Sequence, residues 1–207
     1  MTSFDLVVNL KTFIKSWADA HANLPCPGKV DRESGCGFQR SNQAGTASAL
    51  SETEGRLFSE STLPASLVRA YRETHYKVFA ATGTDEAIAF TLLIDQVCVE
   101  LSAAHRRHGA DCSAYITACN PYSQSLRPDE NAKRQGELAR ELLSRDLAFD
   151  EGVGHHPSNG WEGGLGEPSY LVYGFGLDAA KALARQLEQN AFVFSGTDAV
   201  PRLILLR

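Results

Sequence analysis

The sequence contains no apolar run long enough to cross a membrane, which argues against a helical membrane protein. At the N-terminus, Asp5 and Lys11 interrupt the apolar residues of MTSFDLVVNLKTFIKSW, and no small-residue cleavage site follows closely. A secretory signal is therefore not expected. We predict a soluble protein that is located in the cytoplasm.

An excess of positive charge is also missing, since 20 Lys and Arg face 25 Asp and Glu, giving a net charge of −5. This balance argues against a protein whose main task is to coat nucleic acid, although it leaves a local basic groove possible. Nucleic acid and membrane are therefore not the expected partners.

Recognisable catalytic and cofactor motifs are lacking as well. We find no G-x-x-x-x-G-K-[ST], no G-x-S-x-G and no H-E-x-x-H, and the glycines at 174 and 176 do not extend to G-x-G-x-x-G. The five cysteines include no C-x-x-C pair, and their odd number implies no complete disulfide framework. We expect reduced, structural thiols and no metal site, and the sequence names no cofactor.

The chain divides into two parts by composition. Residues 4–20 have the periodicity of an amphipathic helix, and a long arm rich in Gly, Ser and charge follows. From about residue 63 the pattern changes to alternating helices and strands. We therefore predict an N-terminal helix with a mobile linker over 1–62 and an α+β domain over 63–207.

Within the domain, the predicted order is helix, two strands, helix, strand, helix, strand, helix and two closing strands. The first helix is expected over 64–76, and residues 150–166 are expected to form a glycine-rich loop. Interleaved helices and strands favour a single mixed β-sheet flanked by helices.

Polar residues concentrate in SAYITACNPYSQSLRPDENAKRQGEL, residues 113–138. Asn131, Arg134 and Gln135 continue, along one face of a predicted helix, the apolar stripe of Leu138 and Leu142. Such groups must find internal partners or face a cavity, because burying them unpaired costs roughly 1–3 kcal/mol each.

The strand before that helix delivers Thr117 and Asn120 at its carboxyl end, where α/β proteins often bind ligands. We predict that Asn120, Asn131, Arg134 and Gln135 line one concavity there. The predicted ligand-binding residues are Thr117, Asn120, Ser123, Asn131 and Gln135. Turn and capping chemistry at Asn120, with Glu130 completing a cap, is the competing interpretation.

The glycine-rich loop is the second predicted wall of the site. Trp161 offers a stacking surface, and Glu167 is the preferred acid or base because it directly precedes a strand. Arg134 is predicted to bind an anion and to take part in catalysis with Glu167. His155 and His156 are either acid–base groups or solvated histidines. Gln189 and Asn190 either reach the site or cap the preceding helix.

Five blocks in this order resemble a bacterial family known only as a domain of unknown function: YRETHYKVF, ITACNPYSQ, ENAKRQ, GWEGGLGEPS and QNAFVF. The second block fits the pattern Thr-Ala-x-Asn-Pro-x-Ser. The resemblance covers residues 63–207 and implies one α+β domain with a polar pocket. It implies no activity.

Two functions follow from these observations. The first is a small-molecule-binding protein, an enzyme that acts on a nucleotide or another anionic metabolite. The alternative is a non-catalytic regulatory or toxin/antitoxin-type module, which would use residues 4–20 to bind a partner or a second copy of the chain.

Overall fold

The computed structural model describes residues 61–79, 88–159 and 166–207. The predicted helix over 4–20, the arm up to residue 60 and Trp161 lie outside these ranges. Within them the chain forms four α-helices and one seven-stranded sheet. No helix in the described ranges combines the length and the apolar character that a membrane span needs.

The elements in chain order are α1 Ala65–Glu73, β1 His75–Phe79, β2 Ile88–Leu92, α2 Val99–His108, β3 Ser113–Ile116, α3 Pro128–Ser144, β4 Phe149–His155, β5 Glu167–Tyr173, α4 Leu177–Gln186, β6 Ala191–Ser195 and β7 Arg202–Leu205.

The strands lie in the order β2-β1-β4-β5-β3-β6-β7. The α+β class with a single sheet is confirmed, but every neighbouring pair is antiparallel, so the prediction of a mixed sheet is wrong. Helix α3 connects β3 to β4 and helix α4 connects β5 to β6, and in each case another strand lies between the connected pair. The segment β3-α3-β4-β5-α4-β6 therefore has the split β-α-β topology of ferredoxin-like folds.

Helices cover both faces of the sheet. On one face, α3 and α4 pack against β3, β5 and β6 around a buried cluster that includes Ile116, Leu142, Tyr170 and Leu183. On the other face, Leu101 of α2 packs with apolar residues of β1, β2 and β3. Because side chains alternate along a strand, β3 sends Ala114 and Ile116 to the first face and Tyr115 to the second. The candidate site lies on this second face.

Local signals explain where the helices begin and end. Pro128 opens α3, where its missing N–H needs no partner, and two acids occupy the first turn. Gly109 ends α2 in the left-handed conformation with φ +61°. Helix α1 ends at Glu73, before the predicted residue 76, because Thr74 is extended and its hydroxyl donates to the Ala70 carbonyl at 2.8 Å.

Strand β4 corrects the sequence prediction of a loop over 150–166. Its residues Phe149–His155 pair with both β1 and β5, although Gly152 and Gly154 weaken the β pattern. Gly152 is required by packing: a Cβ there would lie 2.3 Å from the Lys77 carbonyl oxygen and 2.6 Å from the Tyr115 hydroxyl. A strand pattern that includes such glycines is difficult to recognise before the partners are known.

We expect Gly152→Ala to destabilise the protein by about 1–3 kcal/mol, because the added methyl group meets backbone that cannot move aside easily. Gly154→Ala is the matched control, since its Cβ would find ordinary contacts of 3.7 Å or more. Urea unfolding of both variants measures the difference. Equal stability of the two variants would contradict the close packing described for Gly152.

Candidate active site

A cavity of about 540 Å³ lies at the carboxyl end of β3. Helix α1 forms one side, the loop after β3 forms another, and the adjoining ends of β4 and β5 close the third. Its lining residues combine hydroxyl, amide and carboxyl groups with aromatic and aliphatic surface. A cavity of this size accommodates a small organic molecule.

Two tyrosines form an aromatic corner of the cavity. The rings of Tyr76 and Tyr115 meet edge to face, with centroids 5.4 Å apart and an interplanar angle of 73°. The Tyr76 hydroxyl donates to the Tyr71 carbonyl at 2.7 Å, and the Tyr115 hydroxyl donates to the Lys77 carbonyl at 2.9 Å. Burial raises the pKa of both phenols, so they stay neutral at ordinary pH.

The loop after β3 has an unusual backbone. Asn120, Tyr122 and Ser123 have φ values of +47°, +51° and +59°, and each such non-glycine residue costs about 1–3 kcal/mol. Specific contacts hold the loop: the Tyr122 N–H donates to the Glu188 carbonyl at 2.7 Å, and the Ser123 hydroxyl lies 2.6 Å from that of Tyr71. Strain that is held in this way occurs often at binding sites.

Glu167 is the central ionisable group of the cavity. Its Oε1 accepts a hydrogen bond of 2.8 Å from Nδ2 of Asn120. Burial raises the pKa of Glu167 to about 7, and the Asn120 hydrogen bond opposes that shift. Within the part of the chain that the structure describes, no hydrogen bond reaches the second carboxyl oxygen, Oε2. The described residues therefore leave this oxygen available to a ligand.

Asn120 is itself fixed by a second amide. Asn131, which is only 5% exposed, accepts from the Asn120 backbone N–H at 2.9 Å and donates to Asn120 Oδ1 at 2.8 Å. Asn120 Oδ1 also accepts from the Leu126 N–H at 3.0 Å. These contacts leave Nδ2 of Asn120 pointed at Glu167. Both interpretations of Asn120 thus have a structural basis, since it orders the loop and also contacts the carboxyl group.

Arg134 and Gln135 lie behind this wall. Arg134 donates from Nε to the Ala118 carbonyl at 2.7 Å and from Nη2 to the Leu187 carbonyl at 2.9 Å. Gln135 is 2% exposed, and its Oε1 accepts from the Ala118 N–H at 2.9 Å. Both side chains bind the backbone that leads from β3 into the cavity.

The predicted site residues therefore form two layers and not one wall. Thr117, Asn120, Ser123 and Glu167 line the cavity, whereas Asn131, Arg134 and Gln135 do not. The helical stripe buries Asn131 and Gln135 as predicted, and their hydrogen-bond partners are backbone and amide groups, but Nε2 of Gln135 has no partner among the described residues. Trp161 lies outside the described residues, so its stacking role stays a prediction.

Three tyrosines of the cavity were not singled out from the sequence. Tyr71, Tyr76 and Tyr115 line it, and no local pattern shows that their elements meet at one opening. Gln189 lines the cavity and donates to the Cys119 carbonyl at 2.9 Å, so it reaches the site, which was one of the two alternatives. His156 also lines the cavity, and its Nδ1 lies 2.6 Å from the Ser158 hydroxyl.

The remaining ionisable groups give little sign of metal or thiol chemistry. Over the described ranges, no three His, Cys, Asp or Glu side chains group closely enough to hold a metal ion. Cys98, Cys112 and Cys119 are free thiols. Burial raises the pKa of Cys119 to about 12, so this thiol, which lies behind the cavity wall, is a poor nucleophile.

Comparison with known proteins finds a family match over part of the chain. No curated protein and no solved structure matches the chain. Residues 116–192, which run from the end of β3 into β6, match the model of a family described as protein of unknown function, DUF3293. This stretch contains all the site residues predicted from the sequence, and it is what the chain shares with that uncharacterised family.

Proposed function

We propose that the protein binds a small polar molecule in this cavity and is an enzyme in which Glu167 exchanges a proton with it. The observation that carries this proposal is a carboxyl group with a pKa of about 7 inside a cavity large enough for a ligand. A carboxyl group with this pKa populates both its acid and its base form near neutral pH. Such tuning is common in catalytic acids and bases.

The two oxygens of Glu167 have different tasks in this proposal. Oε1 keeps the hydrogen bond from Asn120, which holds the orientation of the carboxyl group in both protonation states. Oε2 takes a proton from an N–H or O–H group of the ligand, and returns one when the reaction requires an acid. The hydroxyl groups of Thr117 and Ser123, which also line the cavity, orient the ligand.

The nucleotide or other anionic metabolite predicted from the sequence stays as the competing ligand class for this cavity, and the cytoplasmic location stays a proposal. The anion was predicted because of Arg134, which the structure places behind the cavity wall. The alternative function, an interaction module that uses residues 4–20, concerns residues outside the described ranges and stays a prediction too.

The test is to measure which molecules of a cell extract the full-length protein enriches, by equilibrium dialysis and mass spectrometry. Ala70→Trp places a large side chain into the cavity from α1, whereas Ala65→Trp changes an exposed residue of the same helix. We expect the wild type and Ala65→Trp to enrich the same small molecule and Ala70→Trp to lose it. Equal enrichment by Ala70→Trp would exclude this cavity as the binding site.

Turnover is tested with the enriched molecule itself. We expect the wild type to convert it and Glu167→Gln not to convert it even at concentrations that saturate the variant, because the amide cannot exchange a proton as the carboxyl group does. Conversion at an unchanged rate by Glu167→Gln would contradict the acid–base role, and no conversion by the wild type would leave a binding protein.

A further inference from the structure

The cavity contains an acidic side chain and no strongly basic one among its described lining residues. Its described lining includes Glu167 and His156 but neither lysine nor arginine. The imidazole Nε2 of His156 lies 3.4 Å from a carboxyl oxygen of Glu73, so a second acid stands beside the opening. A carboxylate or phosphate placed here would meet no fixed positive charge of the described lining.

The nearby guanidinium does not supply that charge. Two donors of Arg134 are used by the backbone carbonyls of Ala118 and Leu187, and a third contact of 3.8 Å joins the guanidinium to Glu188. To bind an anion in the cavity, Arg134 would have to give up the hydrogen bonds that hold the wall. The arginine therefore belongs to the wall and not to the binding surface.

The acceptor groups of the cavity favour a ligand that donates hydrogen bonds. Oε2 of Glu167 receives no donor from the described residues, and an ionised carboxylate is stabilised by charged N–H donors more than by neutral ones. Glu167, Tyr76 and Tyr115 line the same cavity. A cation bound to Glu167 is therefore near aromatic surface, which favours positive charge.

The apolar part of the lining favours a ligand with a ring. The edge-to-face pair of Tyr76 and Tyr115 lines the cavity together with the aliphatic residues Leu67, Val193 and Leu203. A planar ring can pack on this surface while its substituent reaches Glu167.

We propose that the ligand of this cavity is a planar nitrogen base bound as a cation, of the amidine or protonated amino-heterocycle class, and that its N–H groups contact Oε2 of Glu167. This inference rests on the proposed function, because it names the class of molecule that the same cavity takes. It assigns the recognition of charge to Glu167 and the recognition of shape to the tyrosine pair.

Benzamidine, benzamide and benzoate test this proposal, since they share one ring and differ in the charge of a single substituent. Dissociation constants of the full-length protein are measured by ligand-observed NMR near pH 8, where Glu167 is ionised. We expect benzamidine to bind at least about tenfold more tightly than benzamide, and benzoate to bind most weakly. We expect Glu167→Gln to weaken benzamidine about tenfold and to change benzamide by less than about twofold.

Ala70→Trp and Ala65→Trp locate the binding. Loss of benzamidine binding in the first variant and its retention in the second assign it to the cavity. Equal or tighter binding of benzoate, or no binding of benzamidine, overturns the proposed ligand class. Neither result affects the proposed function if the wild type still enriches a molecule from the extract that Ala70→Trp does not enrich. If Ala70→Trp leaves the binding of all three probes unchanged, the probes bind elsewhere and the ligand class is overturned.

Discussion

Glu167→Gln is expected to raise the free energy of unfolding by roughly 3 kcal/mol above pH 7 and to leave it unchanged near pH 4. The reason is that the folded protein holds this carboxyl group with a pKa of about 7, well above the usual value of 4.5. Between these two pKa values the folded state binds more protons than the unfolded state. The stability of the wild type therefore falls as the pH rises through this window. Glutamine keeps the acceptor for Asn120 and carries no charge that burial would penalise.

The measurement is urea unfolding of both proteins at several pH values between 4 and 8. Glu137→Gln is the control, because Glu137 is exposed on helix α3 and its change should stay within about 0.5 kcal/mol. A stability difference between Glu167→Gln and the wild type that does not vary with pH would show that burial does not raise the pKa of Glu167. The proton exchange proposed above would then lose its basis.

Arg134→Met is expected to lower the free energy of unfolding by about 3 kcal/mol, because it removes two charge-assisted hydrogen bonds to backbone carbonyls. These bonds join helix α3 to the segment that follows strand β3 and to the turn after helix α4. Arg134→Lys should lose much of the same stability, since one ammonium group cannot reproduce the two directions of the guanidinium. Urea unfolding at constant pH measures both variants.

Arg140→Met provides the matched control on the same helix. Its guanidinium is exposed and donates to the Gly136 carbonyl, one turn earlier, at 3.3 Å, so its loss should cost less than about 0.5 kcal/mol. If Arg134→Met were as stable as the wild type but no longer bound the ligand, the result would instead support the anion-binding role predicted from the sequence.

The helical stripe of α3 shows which features of the site can be predicted from the sequence. Its spacing predicts that Asn131 and Gln135 share the buried face of Leu138 and Leu142, and all four are buried. The spacing cannot tell whether the buried amides face a ligand or the backbone, because both arrangements offer them hydrogen-bond partners. That choice depends on where β3 ends relative to α3, which is a tertiary property.

The missing elements have a similar cause. Strand β4 was not predicted because Gly152 and Gly154 have low β propensity. Glycine is needed at position 152 because of Tyr115 and Lys77, which lie on other strands. The cavity tyrosines come from α1, β1 and β3, which lie apart in the sequence. Glu167 was selected from the sequence because it precedes a strand, and its pKa depends on a burial that no local pattern encodes.

The position of β3 also affects when the site can form during synthesis. This strand pairs with β5 and β6, as in the registers Ser113↔Tyr173 and Ser113↔Ser195, and both partners are made long after it. Until the ribosome has released these partners, β3 has unpaired edges and the cavity lacks Glu167 and Gln189. Distant pairings of this kind slow folding and leave apolar strands exposed to aggregation. The growing chain therefore needs β5 and β6 before it can bind anything at this site.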